Sequence, residues 1–140
     1  MSKLFFSALL LPVIFLVQCS SKEVNKTPSI RLHDIWALES INGEAFAKDE
    51  TNTIHPVIEI YVENERVHGN TGCNTLNGKV VVDRTKITFS EIITTEMACS
   101  GDLEQRFLNA LKKADNYEVK KLRLFLYEGE DERLIFRKID

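Results

Sequence analysis

Residues 57–63 read VIEIYVE, and the alternation in this stretch decides the fold. Ile58, Ile60 and Val62 fall on one face of an extended chain, while two glutamates and a tyrosine fall on the other. A period of two residues is typical of a strand that buries one face and exposes the other. The stretch therefore predicts an amphipathic β-strand, which the Asn-Glu pair at 64–65 ends in a turn.

Short apolar or alternating stretches of the same kind recur on both sides of this one. They lie at 35–38, 66–68, 79–82, 86–89, 92–95, 122–126 and 134–136. Turn-forming pairs such as Asn42-Gly43 separate several of them, and the polar stretch NTGCNTLNG at 70–78 predicts a longer loop. Strands at this spacing predict a mainly β (α+β) domain, in which a single antiparallel sheet of about 7–8 strands curls or closes into a small barrel.

One segment, 103–114, has a helical period instead. Its apolar residues fall at the spacing of one helix face, namely Leu103, Phe107, Ala110, Leu111 and Ala114. This pattern predicts a single α-helix with one apolar stripe. Asp102 and Gln105 have the spacing of a capping box at its start. We expect the stripe to pack against the sheet or to plug one end of the barrel.

Residues 1–18 have the composition of an export signal. Lys3 gives a short positive start, and residues 4–17 carry no charge. A helix needs about 20 apolar residues to cross a bilayer, so this run is short for a membrane span and suits a secretory signal peptide. A buried N-terminal helix is the alternative, and Pro12 and the polar residues after Cys19 argue against it.

Cys19 directly follows this apolar run. The sequence Leu16-Val17-Gln18-Cys19 resembles a bacterial lipobox, in which the cysteine is acylated and becomes the first residue of the mature protein. Leu16 matches the lipobox, whereas Gln18 departs from the small residue preferred before the cysteine. Cleavage nearby by an ordinary signal peptidase is the alternative. On this resemblance we expect lipidation of Cys19, and several acyl chains on one residue would give stable anchoring.

These features divide the chain into three parts. We expect residues 1–18 to be a lipoprotein signal peptide, residues 19–29 the lipidated cysteine and a flexible tether, and residues 30–140 one folded domain. The whole chain has 18 lysines and arginines against 21 aspartates and glutamates. That balance lacks the basic excess of nucleic-acid-binding proteins, so we expect no nucleic acid partner.

Three motifs stand out within the domain. The first is Trp36-Ala37-Leu38 with the Asn-Gly turn after it. The second follows the pattern G-x-x-G-C-N-x-x-x-G through Gly69, Gly72, Cys73, Asn74 and Gly78. The third follows T-x-M-A-C through Thr95, Met97 and Cys99. Together they resemble the META domain, or HslJ-like heat-shock lipoprotein, family. The resemblance implies a small, mainly β domain with one helix, linked to envelope stress and antibiotic tolerance, and it carries over no catalytic residue.

Cys73 and Cys99 are the two cysteines that remain once Cys19 is lipidated. Outside the cytoplasm such a pair can form a lasting disulfide. The bond would contribute about 3–4 kcal/mol to stability by restricting the unfolded chain. Two free, buried thiols that pack as small apolar side chains are the alternative. The pair is therefore a candidate disulfide.

His68, Cys73 and Cys99 could instead supply ligands to a metal ion. The spacing H-x4-C does not fit a zinc finger, and the sequence contains no C-x2-C pair, so we expect no metal site. A thiol nucleophile would need one cysteine within hydrogen-bond reach of a histidine base, for which His68 is the nearest candidate along the chain. The alternative is that His68 faces solvent at a strand end, and we expect no enzymatic activity.

Gly69, Gly72 and Gly78 could belong to a phosphate-binding loop. Such a loop leads into a helix, but the residues that follow Gly78 are β-prone. We therefore expect these glycines to permit a tight turn or bulge, and Asn74 to bond backbone groups of that turn. We expect the other motif residues to pack in the core, namely Trp36, Thr95 and Met97.

These features predict a non-catalytic bacterial envelope lipoprotein that needs no cofactor. Its partners would be the membrane, through the lipid anchor, and either an unknown envelope protein or a small apolar ligand inside the curled sheet. An exposed apolar patch or edge strand would favour the protein, and an enclosed apolar cavity would favour the ligand. We expect an outer-membrane location, facing the periplasm or the cell exterior, since Ser20 is not the aspartate that signals inner-membrane retention.

Overall fold

The structure is a computed structural model that describes residues 31–50 and 54–139. These residues form nine strands and one helix, namely β1 Ile35–Ile41, β2 Glu44–Ala45, β3 Val57–Tyr61, β4 Arg66–Asn70, β5 Thr75–Asp83, β6 Lys86–Thr94, α1 Leu103–Lys113, β7 Asn116–Lys120, β8 Arg123–Glu128 and β9 Asp131–Lys138. The predicted mainly β fold with one helix is confirmed, with more strands than the sequence suggested. The predicted signal peptide, Cys19 and the tether lie outside the described residues.

The nine described strands form one sheet, and that sheet closes on itself. Neighbouring strands pair in the order β2-β1-β3-β4-β5-β6-β7-β8-β9. The last strand then pairs antiparallel with the first, and Leu38 of β1 lies opposite Phe136 of β9. β1 therefore has β3 on one side and β9 on the other, so the sheet forms a ring.

The joint between β6 and β7 is the weakest in this ring. Lys86 and Asn116 are the one pair of residues that these two strands share in the described chain. By contrast, five pairs join β7 to β8. The helix α1 connects β6 to β7 along the chain, and it packs against β6 as well as β1, β8 and β9. The helix therefore packs against one of the two strands that meet at this thin joint.

The alternating stretch at 57–63 lies as its pattern predicts. Ile58 and Ile60 of β3 are fully buried inside the ring, while Glu59 between them is only partly covered. The same alternation brings Leu124, Leu126, Leu134 and Phe136 inward from β8 and β9. Large side chains from every side of the ring thus meet in one core.

Trp36 belongs to this core, as predicted. Only 1% of its surface is exposed, and its indole N–H donates to the backbone oxygen of Leu32 at 3.0 Å. Burying the indole is favourable because its one polar atom is satisfied. The bond also joins the first described turn of the chain to β1.

The helix α1 buries the predicted apolar stripe. Phe107 and Leu111 are fully buried, and the ring of Phe107 meets that of Phe136 edge-on, with centroids 6.2 Å apart. The capping-box prediction is wrong, since the side chain of Asp102 makes no capping hydrogen bond and lies 3.9 Å from Arg106 instead. None of the helices among residues 31–50 and 54–139 is long and apolar enough to span a bilayer.

The ring has two ends, which the register of the strands defines. At one end β1 finishes at Ile41, which lines a cleft together with Leu103 of α1. We call this the helix end. At the other end the described chain starts at Arg31 and β1 begins, while β9 finishes at Lys138. We call this the Arg31 end.

The predicted loop at 70–78 is shorter in the structure. Strand β4 runs to Asn70 and β5 begins at Thr75, so four residues separate the strands. The sequence NTGCNTLNG is poor in β-forming residues, but Leu76 pairs with both Gly69 and Thr94 and is fully buried. Pairing and burial therefore override the weak local preference for strand.

Two of the motif glycines sit where strands leave no room for a side chain. A β-carbon added to Gly69 would lie 2.0 Å from the backbone oxygen of Val57, on the neighbouring strand. One added to Gly78 would lie 2.3 Å from the tip of the Ile92 side chain, which can move, and 3.1 Å from the backbone oxygen of Ser90. Gly78 faces a bulge in β6, where Glu91 has a φ of 51°. The expected bulge is present at Gly78, whereas Gly69 serves close strand packing.

Replacing Gly69 by alanine should lower the free energy of unfolding by about 3 kcal/mol, because rigid backbone cannot move aside for the new methyl group. Urea unfolding followed by circular dichroism measures this. Gly129→Asn is the control, since nothing lies within 4 Å of its added β-carbon and asparagine tolerates its φ of +61°. We expect that control to change stability by less than about 1 kcal/mol. Equal losses in both variants would contradict the clash at Gly69.

Candidate functional site

The second and third sequence motifs meet at the helix end of the ring. Cys73, in the turn between β4 and β5, is bonded to Cys99, in the segment between β6 and α1. Their α-carbons lie 5.9 Å apart, within the ordinary range for a disulfide. The candidate disulfide is thus present in the structure. Neither sulfur is a free thiol in this state.

Asn74 is the centre of the polar contacts around the disulfide. Its side-chain oxygen accepts from the backbone N–H of Met97 at 2.8 Å and from the hydroxyl of Thr95 at 2.7 Å. Its side-chain amide donates to the backbone oxygen of Met97 at 3.2 Å and to the two carboxylate oxygens of Glu104 at 3.0 and 3.1 Å. The same nitrogen lies 3.1 Å from the sulfur of Cys99.

The role of Asn74 is therefore broader than the sequence predicted. We expected it to bond the backbone of its own turn, but these side-chain bonds reach the Thr95–Cys99 segment and the helix. Asn74 itself is buried, with 1% of its surface exposed. A buried amide of this kind is stable only when its donors and acceptors are satisfied, and here two other segments of the chain supply the partners.

Thr71 and Glu104 complete the network. The hydroxyl of Thr71 donates to the carboxylate of Glu104 and accepts from the backbone N–H of Asn74 at 3.0 Å. Glu104 is in the first turn of α1, so its bonds hold the start of the helix against the β4–β5 turn. Nothing in the sequence spacing singles out these two residues. An acidic residue early in a helix is the one available clue, and the helix dipole explains that equally well.

An open cleft of about 210 Å³ lies beside this network, and we call it the disulfide cleft. It is lined by Ile54, Thr71, Gly72, Cys73, Met97, Ala98, Cys99, Ser100, Leu103 and Glu104. Gly72 has a φ of +95°, and a β-carbon there would lie 2.9 Å from the side chain of Leu103. The turn therefore needs glycine both for its backbone conformation and for its contact with the helix.

Two motif residues expected in the core lie outside it. Met97 is 59% exposed at the rim of the cleft, and Thr95 is exposed as well. The motif holds them by other atoms, since the backbone of Met97 and the hydroxyl of Thr95 bond Asn74. The core prediction is wrong for these two because the polar contacts of the segment, and not its side-chain hydrophobicity, place it.

The ligand set considered from sequence is not assembled. Cys73, Cys99 and Glu104 place ligand atoms within 4.8 Å of one another, but the two sulfurs are bonded together. His68 belongs to β4, and its Nδ1 pairs with the side-chain oxygen of Asn77 at 2.9 Å on the neighbouring strand. His68 is therefore engaged with another strand and is absent from this cluster.

The turn is also poorly suited to cradle a phosphate, because its own side chains occupy its backbone N–H groups. Asn70 accepts from the N–H of Gly72 at 3.0 Å. The hydroxyl of Thr71 accepts from the N–H groups of Cys73 and Asn74, at 3.4 and 3.0 Å. These contacts rigidify the turn and agree with the structural role expected for its glycines.

Comparison with known families shows to which family this chain belongs. A family model described as the META domain matches residues 29–140, which includes every described element. The chain belongs to the META domain family. The family resemblance inferred from the G-C-N and M-A-C motifs is thus confirmed, and those motifs of the META domain are the two segments joined by the disulfide.

Solved structures share the fold of this META domain. An NMR structure of a protein from Burkholderia xenovorans is 21% identical, with a TM-score of 0.60 and coverage of 99% of each chain. A second NMR structure has 22% identity, a TM-score of 0.62 and coverage of 80% of this chain and 94% of that one. A DUF4847 family protein from Bacteroides vulgatus is 17% identical, with a TM-score of 0.59 and coverage of 80% and 98%. No curated protein matches the sequence.

Replacing Asn74 by alanine should lower the free energy of unfolding by about 3 kcal/mol, because it leaves the buried partners of the amide without a hydrogen bond. Asn77→Ala is the matched control, since Asn77 lies on a half-buried strand face and pairs with His68. That variant should lose less than about 1 kcal/mol. Chemical unfolding of both proteins with the disulfide intact measures the difference. A loss at Asn74 no larger than at Asn77 would refute the central role of Asn74.

Proposed function

We propose that this META domain protein is a non-catalytic bacterial envelope lipoprotein, anchored through Cys19, that acts as a binding module in envelope stress response or antibiotic tolerance. The observation that carries the binding role is the disulfide cleft, where exposed apolar side chains surround a rigid polar floor. The signal-like residues 1–18 and the lipobox-like Leu16–Cys19 support the anchor. The family resemblance supports the stress-related role.

The packing of the ring favours a partner bound at the outer surface over a ligand bound inside. An apolar-ligand carrier needs an enclosed cavity, commonly of about 300–1,000 Å³. In the described part of the chain, the inward positions hold large side chains in mutual contact, including Trp36, Phe107 and Phe136. The exposed apolar side chains at the disulfide cleft lie outside this core, where another protein could reach them.

The disulfide cleft is suited to receive an apolar side chain of a protein partner. Its rim carries Met97 and Ile54, which are 59% and 49% exposed. Methionine adapts its shape to a partner, and exposed apolar surface of this kind gains free energy when it is covered. The disulfide and the Asn74 network hold the floor in place, so little conformational entropy is lost on binding. The partly exposed carboxylate of Glu104 offers a polar contact at the floor.

A photo-crosslinking residue placed at Met97 of the full chain should give one discrete adduct with an envelope protein. The same residue at Val81 is the control, because Val81 is 41% exposed but lies on the outer face of β5, away from the cleft. The variant Ile54→Asp should reduce the adduct at position 97, since a charge in the apolar rim must be desolvated on binding. Immunoblotting after irradiation of intact cells provides the measurement. Identical adducts at positions 97 and 81 would contradict binding at the cleft.

Substitution of Cys19 by alanine should abolish incorporation of a fatty acid label and release the protein from the membrane fraction. The reason is that the thiol of Cys19 would be the attachment point of the anchor. Metabolic labelling with an alkyne analogue of palmitate, followed by membrane fractionation, tests both effects. Ser20→Ala is the matched control and should retain label and location. Persistent labelling of the Cys19→Ala chain would show that lipidation occurs elsewhere.

A further inference from the structure

A second cleft, of about 410 Å³, lies at the Arg31 end of the ring. It is lined by Arg31, Asp34, Trp36, Val119, Lys121, Leu122 and Lys138, and we call it the Arg31 cleft. A backbone hydrogen bond joins two of its walls, since the backbone N–H of Lys138 donates to the backbone oxygen of Leu122 at 2.9 Å. Its residues come from the start of the described chain and of β1, from β7 and the turn after it, and from the end of β9.

The Arg31 cleft carries an excess of positive charge. Three cations line it against one carboxylate, that of Asp34. Asp34 is already paired with Lys138 at 2.8 Å. Arg31 and Lys121 are exposed, and within residues 31–50 and 54–139 neither has an acidic partner closer than 4.0 Å. The chain as a whole is acidic, so this end is a local exception.

The turn between β7 and β8 is strained in a way that presents a cation and an apolar side chain together. Lys121 and Leu122 have φ values of 48° and 62°. Two-residue turns with this backbone strongly prefer Asn-Gly, because residues with a larger side chain pay a steric cost at positive φ. Leu122 is nevertheless 70% exposed, so burial does not compensate. Strain kept at an exposed position is a pointer to function.

We propose that the Arg31 cleft docks on the anionic surface of the membrane to which the chain is anchored. Arg31 and Lys121 contact lipid phosphates, and Leu122 enters the interface between headgroups and acyl chains. Cations beside an exposed apolar side chain are suited to that boundary. This inference rests on the proposed anchoring through Cys19.

The position of the anchor makes this surface the natural one for docking. Residues 20–30 separate Cys19 from Arg31, and eleven residues span at most about 40 Å even when fully extended. The anchor therefore joins the domain at the end where the cations are gathered, and it keeps their local concentration at the membrane high. Docking in this pose leaves the disulfide cleft, at the opposite end, directed away from the lipid.

Trp36 is the one tryptophan in the sequence and is buried behind the Arg31 cleft, so its quenching by lipid reports how near this end of the ring comes to the membrane. The full lipidated chain would be placed in vesicles of phosphatidylcholine, with or without phosphatidylglycerol, carrying brominated acyl chains that quench tryptophan. We expect stronger quenching of Trp36 in the anionic vesicles. Raising the salt concentration should reverse the difference, because screening weakens contacts between cations and phosphates.

Variants of the turn separate docking from folding. Lys121→Gln should lower the ratio of docked to undocked protein about fivefold, whereas Lys113→Gln, at the end of α1, should leave it unchanged. The double change Lys121→Asn and Leu122→Gly should raise Tm by about 5 °C by relieving the strained backbone, yet reduce quenching. If the turn had a purely structural role, the more stable double variant would show no loss of Trp36 quenching.

Co-sedimentation with the vesicles distinguishes the anchor from the docking. Protein that fails to sediment with either kind of vesicle would overturn both the anchor and the docking. Protein that sediments but shows equal quenching in neutral and anionic vesicles would overturn the docking alone. An equal loss of quenching in Lys113→Gln and Lys121→Gln would also overturn the docking. The loss would then follow from the lower net charge of the protein and not from the Arg31 cleft.

Discussion

The pairing of β9 with β1 is the constraint on which the rest of this META domain depends. It joins the first and last long strands of the described chain and covers both edges that an open sheet would expose. Closure also gives the core its shape, because Leu38, Leu134 and Phe136 lie inside the ring on these two strands. Since the pairing links residues about a hundred positions apart in sequence, its formation carries a large loop-closure cost during folding.

The disulfide and Asn74 hold the same two segments by different physical means. The bond between Cys73 and Cys99 acts mainly by restricting the unfolded chain. Asn74 acts in the folded state, where its amide satisfies groups on the Met97 segment and on the helix. The covalent bond and the buried hydrogen bonds together keep the floor of the disulfide cleft ordered. The apolar rim of the cleft can therefore be exposed on a fixed support.

Periodicity explains which parts of the fold could be predicted from sequence. The alternation at 57–63 and the stripe at 103–114 report which face of an element is buried, and both elements occur as expected. Strand pairing at Thr75–Leu76 could not be predicted, because its cause lies on β4 and β6 and not in the local sequence. The helix begins at Leu103 with Asp102 at its N-cap position, as expected, but the side chain of Asp102 pairs with Arg106 and makes no capping hydrogen bond.

The candidate site could likewise be predicted only in part from the sequence. Spacing and residue type identify Cys73, Asn74 and Cys99, but they do not reveal that Asn74 reaches Glu104 on the helix. Met97 appears as a core residue from its hydrophobicity alone, and it is exposed because backbone bonds fix its segment. The cations of the Arg31 cleft are equally hidden in the sequence, because they come from three distant segments.

The thin joint between β6 and β7 determines how the domain opens below global unfolding. With one residue pair at this joint, β6 and β7 can part with the loss of few backbone hydrogen bonds, and the buried side chains of α1 and the chain leading to it are what keep the ring closed there. Cys99 lies on that leading segment and is bonded to the β4–β5 turn. The disulfide therefore limits how far this segment and the helix can move from the β4–β5 turn when the joint opens. A short separation of this kind favours rapid reclosure of the ring.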